Sequence, residues 1–547
     1  MFKKYVVPAI ITVVFGGVYY YFALPPINIK SGEFWFALAL LIACYIICYL
    51  VSAGKRKIGS FAQNTSNFIT PGAINLNIKL GKHAKTAVIT AVIAIVAALS
   101  VIGITSARMF NAQDYQSMIT VTDRDFATDI SEIPLSQIPI VDRDTAVRLG
   151  SRKIGEVVEL VSQFDVSNYY TQINFNGMPT RVSPLQYSGT IKWFTNKSDG
   201  IPYYVQIDMA TQETELVKLA EGMKYSPSEL FSRDLMRHIR FKYPTKMFNE
   251  VNFEISDDGK PYWVVSYYGY KVGFLGGKDI TGILLVDAVT GEMIDYPVAD
   301  VPEWIDRVYS SDLVVEQANN WGTLKSGYLN SVFGQRGVVK TTTGYNYLAL
   351  DDDVWLYTGV TSVVSDESNI GFILINMRTK ETRLYSINGA EEYSAMESAQ
   401  GQIQEKGYVA TFPILVNVAD IPTYFVSLKD NAGLVKAYSF VSVSDYQIVG
   451  VADTLQGAEV EYRRLLGVGD SSTDNKPAEE IITVTGIISR ISTAVKSGNS
   501  IYYIEINSTI YTASIEISDS LPLLASGDTV EIQITPTKQM KSITLKK

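Results

Sequence analysis

The sequence predicts an α+β protein: three N-terminal transmembrane helices, then repeated helix-plus-antiparallel-sheet units, then a small all-β tail. Three observations predict it. Long uncharged apolar runs are confined to the first 108 residues. Beyond them, helical periodicity alternates with clusters of β-branched and aromatic runs rather than with single strands. One strand-turn-strand phrase also recurs: "IDMATQETELVKL" from Ile207, "VDAVTGEMIDYPV" from Val286, "INMRTKETRLYSI" from Ile375 and a blurred "VSVSDYQIVGVAD" from Val441.

The anchor, residues 1–108, contains "YVVPAIITVVFGGVYYYFA" from Tyr5, "FWFALALLIACYIICYLVSA" from Phe34 and "TAVITAVIAIVAALSVIGITSA" from Thr86. Each is close to the roughly 20 apolar residues that cross a bilayer core. Tyr21 stands where a signal peptidase needs a small side chain, so the first run is expected to stay attached. Ten Lys and Arg face Glu33 alone in this region, which leaves 37 basic and 55 acidic residues, a net −18, for the remainder. The basic groups cluster at Lys3 and Lys4 and in "GKRK" and "KLGKHAK" between the second and third runs. The positive-inside rule then places the N-terminus and that loop in the cytoplasm and everything after Arg108 outside.

An acidic outer body has no electrostatic footprint for nucleic acid. It also has no cysteine: Cys44 and Cys48 both lie in the second apolar run. An extracytoplasmic body held by its cores alone suits a bacterial cell envelope better than a disulfide-rich animal secretion.

Along the outer body, 109–145 reads as an extended lead-in punctuated by Pro134 and Pro139. A first α+β unit, 146–225, opens on a helical pattern running through Ile154, Val157, Val158 and Val161. A second, 226–301, opens on "SPSELFSRDLMRHIRFKYP", predicted helical from a Ser226 cap with Pro227 at the first position. A helix-plus-β unit, 302–387, opens on "PEWIDRVYSSDLVVEQANNW", and a fourth unit, 388–467, on "AEEYSAMESAQGQIQEKG". Between the helices, runs such as "KPYWVVSYYGYKVGF", "GILLVDAV", "VWLYTGVTSVV" and "PTYFVSLKD" are predicted strands.

In the repeated phrase, Asp208, Asp287 and Asn376 are expected to seed the turn through backbone amides, and Thr211, Thr290 and Thr379 to restart a strand. Gly291 supplies a positive φ, whereas Gln212 and Lys380 in its place suggest that the turn does not strictly need one. The helix "SELFSRDLMRHIRFKYP", the "GKPYWVV" strand and "GILLVDAVTGE" together resemble the PepSY domain, best over 226–298 and partially over 388–453. The resemblance implies cystatin-like units of bacterial extracytoplasmic proteins that bind or inhibit rather than catalyse.

After the polar linker 468–479, residues 480–547 offer five strands with a short element before the fourth, an OB-like order. With six basic and six acidic residues, this segment is a poor nucleic-acid binder, and packing or a protein partner is the expectation.

Chemistry is sparse. His83 and His238 are the two histidines, and one outer histidine without an outer cysteine supports neither His-rich zinc sites nor Cys-His pairs. "GFLGGK", Gly273 to Lys278, lacks the P-loop spacing and reads as a glycine-rich turn. Asp351 to Asp353 could offer oxygens to calcium, but their spacing fits no EF-hand. No catalytic, cofactor or metal residue is therefore assigned. The candidate binding surface is the aromatic strand "YWVVSYYGY", with Tyr262, Trp263, Tyr267, Tyr268 and Tyr270 as contact residues if one face is open. The simpler expectation is burial of both faces. The favoured function is a non-enzymatic, membrane-anchored binding or scaffold protein whose partners are other envelope proteins. The alternative is an envelope enzyme hydrolysing glycans through paired carboxylates.

Overall fold

Four times along the chain a short helix precedes a four-stranded antiparallel meander, and the recurring phrase is the turn between the third and fourth strands of each. The computed structural model describes residues 2–61, 90, 100–132, 134–363, 365–468, 482–496, 499–514, 517–518, 520–534 and 540–546. They fall into two compact units, Met1–Val468 and Gly469–Lys547.

The first module has the helix Arg143–Gly155, then strands β2 (Phe164–Val166), β3 (Thr171–Phe175), β4 (Met178–Tyr187), β5 (Ile201–Asp208) and β6 (Thr214–Met223); β1 (Val121–Arg124) lies in the lead-in. In the second, the helix Leu235–Lys242 precedes β7 (Met247–Ile255), β8 (Pro261–Val272), β9 (Gly276–Asp287) and β10 (Met293–Pro297). The third follows the helix Ser311–Leu324 with β11 (Val339–Thr341), β12 (Asn346–Leu350), β13 (Asp353–Ser362), β14 (Ser365–Asn376) and β15 (Thr382–Tyr385); a two-residue strand, β16 (Gly389–Ala390), joins the edge of β14. The fourth follows the helix Glu392–Gln402 with β17 (Val409–Ala410), β18 (Ile414–Val418), β19 (Ile421–Lys429), β20 (Val435–Ser442) and β21 (Val449–Ala452), and adds the helix Leu455–Leu466. In modules one, three and four the opening strand is split into two pieces that pair with the same neighbour. In module two it is continuous but bulged between Phe248 and Val251. The helix-plus-β segment 302–387 thus has the same strand plan as its neighbours.

The three clear turns superpose bond for bond. Asp208, Asp287 and Asn376 each accept two backbone N–H groups at 2.8–3.0 Å, from the residues two and three further on. Thr211, Thr290 and Thr379 do not restart a strand: they stay in the turn, three residues before β6, β10 and β15 begin, where each hydroxyl accepts the N–H of Glu213, Glu292 or Glu381. Gln212, Gly291 and Lys380 all have left-handed backbones, with φ of 66°, 75° and 65°. The turn therefore demands the positive φ even where the sequence offers no glycine.

Two predicted helices start later than their prolines suggest. From Ser226 to Leu230 the chain is a loop in which the Ser226 hydroxyl accepts the Ser228 N–H, followed by one 3-10 turn, Phe231–Arg233, that Phe231 enters at φ 56°. Such side-chain-to-backbone bonds compete with helix. The helix begins at Leu235, capped by the Asp234 carboxylate at 2.8 Å from the Arg237 N–H. Likewise Pro302 to Ser310 wraps around the buried Glu254, whose carboxylate accepts the Asp306 and Arg307 N–H groups at 2.9 and 3.1 Å, and the helix begins at Ser311.

Two apolar cores run through the body. Trp263, Val265, Leu284 and Val286 of the second sheet join the first core with Leu235, Ile239 and most of modules one and four. Val264, Ile283 and Leu285, pointing the other way, join the second core with Leu313, Val314, Leu356 and Ile375 of module three. The sheet of module two is thus buried on both faces. The lead-in stitches the modules together. Its β1 pairs in parallel with β15, Ile130 accepts the Asn417 amide at 2.7 Å, and Ile140 bonds both Met209 and Ser427.

Among the described residues two helices, Tyr5–Ala23 and Gly32–Tyr49, are long and apolar enough to cross a membrane. The predicted third span lies largely outside the described residues; its end, 100–106, is helical. The end of the first of these helices and the loop after it rest on module two: Arg237 donates to the Tyr21 carbonyl at 3.1 Å, and the Ile27 N–H donates to Pro244 at 2.7 Å. The glycine-rich turn Gly273 to Lys278 seats the end of the third run, where Ser106 Oγ accepts the Phe274 and Leu275 N–H groups. A Cβ on Gly273 would lie 2.2 Å from the Thr105 carbonyl, which explains the glycine there.

The tail is an open sheet rather than a closed barrel, in the order β24 (Thr509–Ser514), β23 (Asn499–Ile506), β22 (Ile482–Lys496), β25 (Thr529–Ile534), β26 (Met540–Leu545). The long β22 serves two partners: Ile482–Ile487 pair with β25 and the remainder with β23. Closure would need a further ladder between the six-residue edge strands β24 and β26, and none joins them among the described residues. Ile504, Ile506, Leu521, Val530 and Ile532 form its core.

The turns give a test. Gly291→Ala would place a Cβ 2.4 Å from the Tyr225 ring as well as straining φ, and should lower stability by about 2–3 kcal/mol. Gln212→Gly relieves the same left-handed strain and should raise it by about 0.5 kcal/mol, net of the extra freedom of the unfolded chain. Calorimetric melting of the two variants should move in opposite directions.

Candidate functional site

The aromatic strand is β8, and alternation divides its side chains between two interiors. Trp263 is wholly buried, donates to the Tyr225 carbonyl at 2.8 Å and meets the Tyr169 and Phe253 rings at 5.3 Å. Tyr262 packs on Trp304, with ring centroids 5.3 Å apart. Tyr267 donates to Asp295 at 2.8 Å beneath the Lys246 ammonium, which lies 3.3 Å from its ring centre. Tyr268 lies under Lys278 and against Tyr270; burial pushes its hydroxyl pKa up to about 12. These five side chains therefore do not form one open face. Trp263 is a core residue, and the four tyrosines are half-buried and already partnered.

Trp263 does close the floor of a recess between modules one and two. Tyr169, Tyr187, Trp193, Ser226 and Leu230 complete its walls around about 310 Å³. Behind the wall, Glu229 is 1% exposed and holds two wall residues at once. Its oxygens accept Tyr187 Oη at 2.7 Å and Trp193 Nε1 at 2.6 Å. Burial raises the Glu229 pKa above the ordinary carboxylate range, against the opposing pull of those two donors. The same desolvation raises that of Tyr187. The carboxyl itself does not line the recess.

At this rim three large apolar side chains stand in solvent: Ile191 at 77% exposure, Phe194 at 55% and Phe231 at 58%. Phe194 and Phe231 both meet the Trp193 ring, at 4.8 and 5.8 Å, and the Lys197 ammonium covers Trp193 at 5.1 Å. The sequence reasoning missed this cluster. A signal existed in "TIKWF", where apolar side chains occupy both faces of a short helix, Thr190–Asn196, that has room to bury only one.

The remaining motifs have structural partners. His238 bonds the Gly291 carbonyl at 2.8 Å and packs on Tyr225, bracing the module-two turn; it does not approach a nucleophile there. Asp353 is bound by Arg378 at 2.6 and 2.8 Å and by Asn376 at 2.8 Å, Asp352 accepts from Asn174 at 3.2 Å, and Asp351 faces Arg383 at 3.6 Å. Their carboxylates point to three different partners rather than to a shared centre. His83 lies outside the described residues. Cys44 and Cys48 are free thiols within the second apolar helix. No family model matches the chain, and no curated protein matches it.

Glu229 gives a pH test. A carboxyl whose folded pKa is raised binds more protons folded than unfolded, so its contribution to stability is full below the ordinary carboxylate value and falls as pH rises through the raised one. Glu254 and Glu392 are shifted the same way by burial, so the whole body should lose stability across this window. Chemical unfolding followed from pH 4 upward, with the ordinary Glu value near ~4.3, should show that decline, and Glu229→Gln should flatten it in part. An unchanged slope would mean that Glu229 does not titrate in the fold.

Proposed function

We propose that this chain is a non-enzymatic, membrane-anchored binding or scaffold protein of the bacterial cell envelope. Three helices hold its N-terminus in the membrane, its PepSY-like modules lie outside the cytoplasm, and its OB-like tail serves as a further contact unit. The observation that carries the reading is the aromatic recess between modules one and two, with Ile191, Phe194 and Phe231 exposed at its rim. Clustered exposed apolar side chains beside a rigid aromatic floor are the ordinary make-up of a protein contact surface. Tyr and Trp offer contact area with little rotamer entropy to lose, and here Glu229 fixes two of them in advance.

The orientation has its own support. The loop between the first two spans and the end of the third apolar run both rest on module two, through Ile27 and Ser106. A loop and a chain exit on one side of the membrane are what three crossings from a cytoplasmic N-terminus produce. The basic segment of residues 54–85 then faces the cytoplasm, in line with its charge.

Three experiments test the reading. In a chain with Cys44 and Cys48 replaced by serine, Lys30→Cys should react with a membrane-impermeant maleimide on intact cells, and Lys57→Cys only after lysis; the reverse pattern would overturn the orientation. A photo-crosslinking residue at position 194 should capture envelope proteins in cells, and Ile191→Asp should abolish those adducts. Adducts identical to those from a site on module four, such as Glu405, would sink the binding surface. Zymography of the purified chain on cell-wall glycan should show no clearing. Clearing abolished by one carboxylate-to-amide change would replace this reading with the glycan hydrolase.

A further inference from the structure

A second recess opens where modules one, two and three meet, and it is polar where the first is aromatic. It encloses about 460 Å³ and is lined by Tyr170 and Arg181 of module one, Glu250 and Asn252 of module two, and Arg307 and Tyr347 of module three. Both arginines are 6% exposed. Arg181 donates one bond, to the Gln172 side chain at 3.2 Å. Arg307 donates to Tyr347 Oη at 2.9 Å, with its guanidinium 4.3 Å from that ring centre. Neither forms an ion pair among the described residues, and the Nε–H of each has no acceptor. Tyr170 Oη and Glu250 Oε2 in the same recess are also without partners.

Two buried guanidiniums facing one recess are costly, because charge removed from water must be repaid by a counter-charge at close range. The protein spends its nearby acids elsewhere: Asp142, at the rim, is bound to Lys429 at 2.5 Å, and Glu254 is taken up by backbone N–H groups. Burial pushes Arg181 down to about 10, still charged at neutral pH. Inside the recess Glu250 contributes one negative charge and one buried open acceptor, and the exposed Asp144 adds a second carboxylate to its lining, so two cationic forks stand beside acceptors for a donor group.

We propose that this recess binds a small molecule that has an oxyanion, a carboxylate or a phosphate, next to a hydroxyl or ammonium group. The oxyanion receives the free N–H groups of Arg181 and Arg307, the planar donors best matched to such groups. Glu250 Oε2 accepts from the ligand's hydroxyl or ammonium. The enclosed volume is that of a small-metabolite site.

Thermal unfolding of the full chain in detergent tests this with glycerol 3-phosphate, glutamate and inorganic phosphate, each against sodium chloride of equal ionic strength. Glycerol 3-phosphate or glutamate should raise the Tm in a saturable way, and whichever does so identifies the phosphate or the carboxylate. Inorganic phosphate, lacking the carbon-borne donor, should do so more weakly. Arg181→Lys should weaken the response about tenfold or more through loss of the fork. Arg307→Met should abolish the response, since it removes the second fork. Glu250→Gln should erase the advantage over inorganic phosphate. Shifts no larger than those of chloride, or shifts that survive in both arginine variants, would overturn the proposal.

Discussion

The body depends on one constraint: a four-stranded sheet with a single short helix can cover only one of its two faces. The module-two helix, Leu235–Lys242, has 8 residues, a length of about 12 Å, against strands of up to 12 residues. Yet Trp263 and Val264, adjacent on β8 and pointing oppositely, are both fully buried. The second face is covered by module three, through its helix Ser311–Leu324 and the inner side of β13 and β14. A fully buried apolar side chain is worth about 1.5–3 kcal/mol, so separating the modules would forfeit many such contributions at once. Modules made to one plan therefore cannot be independent beads, and their recesses are by-products of packing similar shapes that do not fit perfectly.

How much of this was legible follows from which signals are local. The repeated phrase was readable because its turn is built from bonds within six residues, from Asp208 to Glu213 and their equivalents. Even there the sequence misled: Gln212 and Lys380 suggested a tolerant turn, whereas both sit at positive φ. Proline was misread twice for one reason. Pro227 and Pro302 open segments whose backbone amides are claimed by Ser226 and by the distant Glu254 before a helix can use them. Such claims join residues up to 53 positions apart and leave no periodicity to read.

The aromatic strand teaches the same lesson at the level of the site. Its alternation was plain, and the division of Trp263 and Val264 between two cores follows from it. Which face meets solvent depends on neighbouring modules, and no window of sequence encodes that. The side chains that do remain exposed, Ile191, Phe194 and Phe231, come from two segments about forty residues apart and form a patch only once Trp193 stands between them. The arginine recess was still less visible. Arg181 and Arg307 look like ordinary surface residues in the chain, and their isolation is a property of three modules meeting.

The seams explain why these recesses differ in kind. Wherever modules abut, a polar group is trapped, and most are satisfied internally. Glu254 is held by two backbone N–H groups, Glu229 by Tyr187 and Trp193, and Glu392 by Thr342, Tyr357 and Asn369. Such networks fix how one module sits on the next, because a half-satisfied buried carboxylate costs more than an apolar contact returns. Arg181 and Arg307 break the pattern: the fold buries both beside one recess and leaves the Nε–H of each without an acceptor. A seam that served only to join modules would have no reason to leave two buried guanidinium N–H groups without acceptors. Keeping both is intelligible if the missing charge arrives with a ligand, which makes this junction the place where packing gives way to recognition.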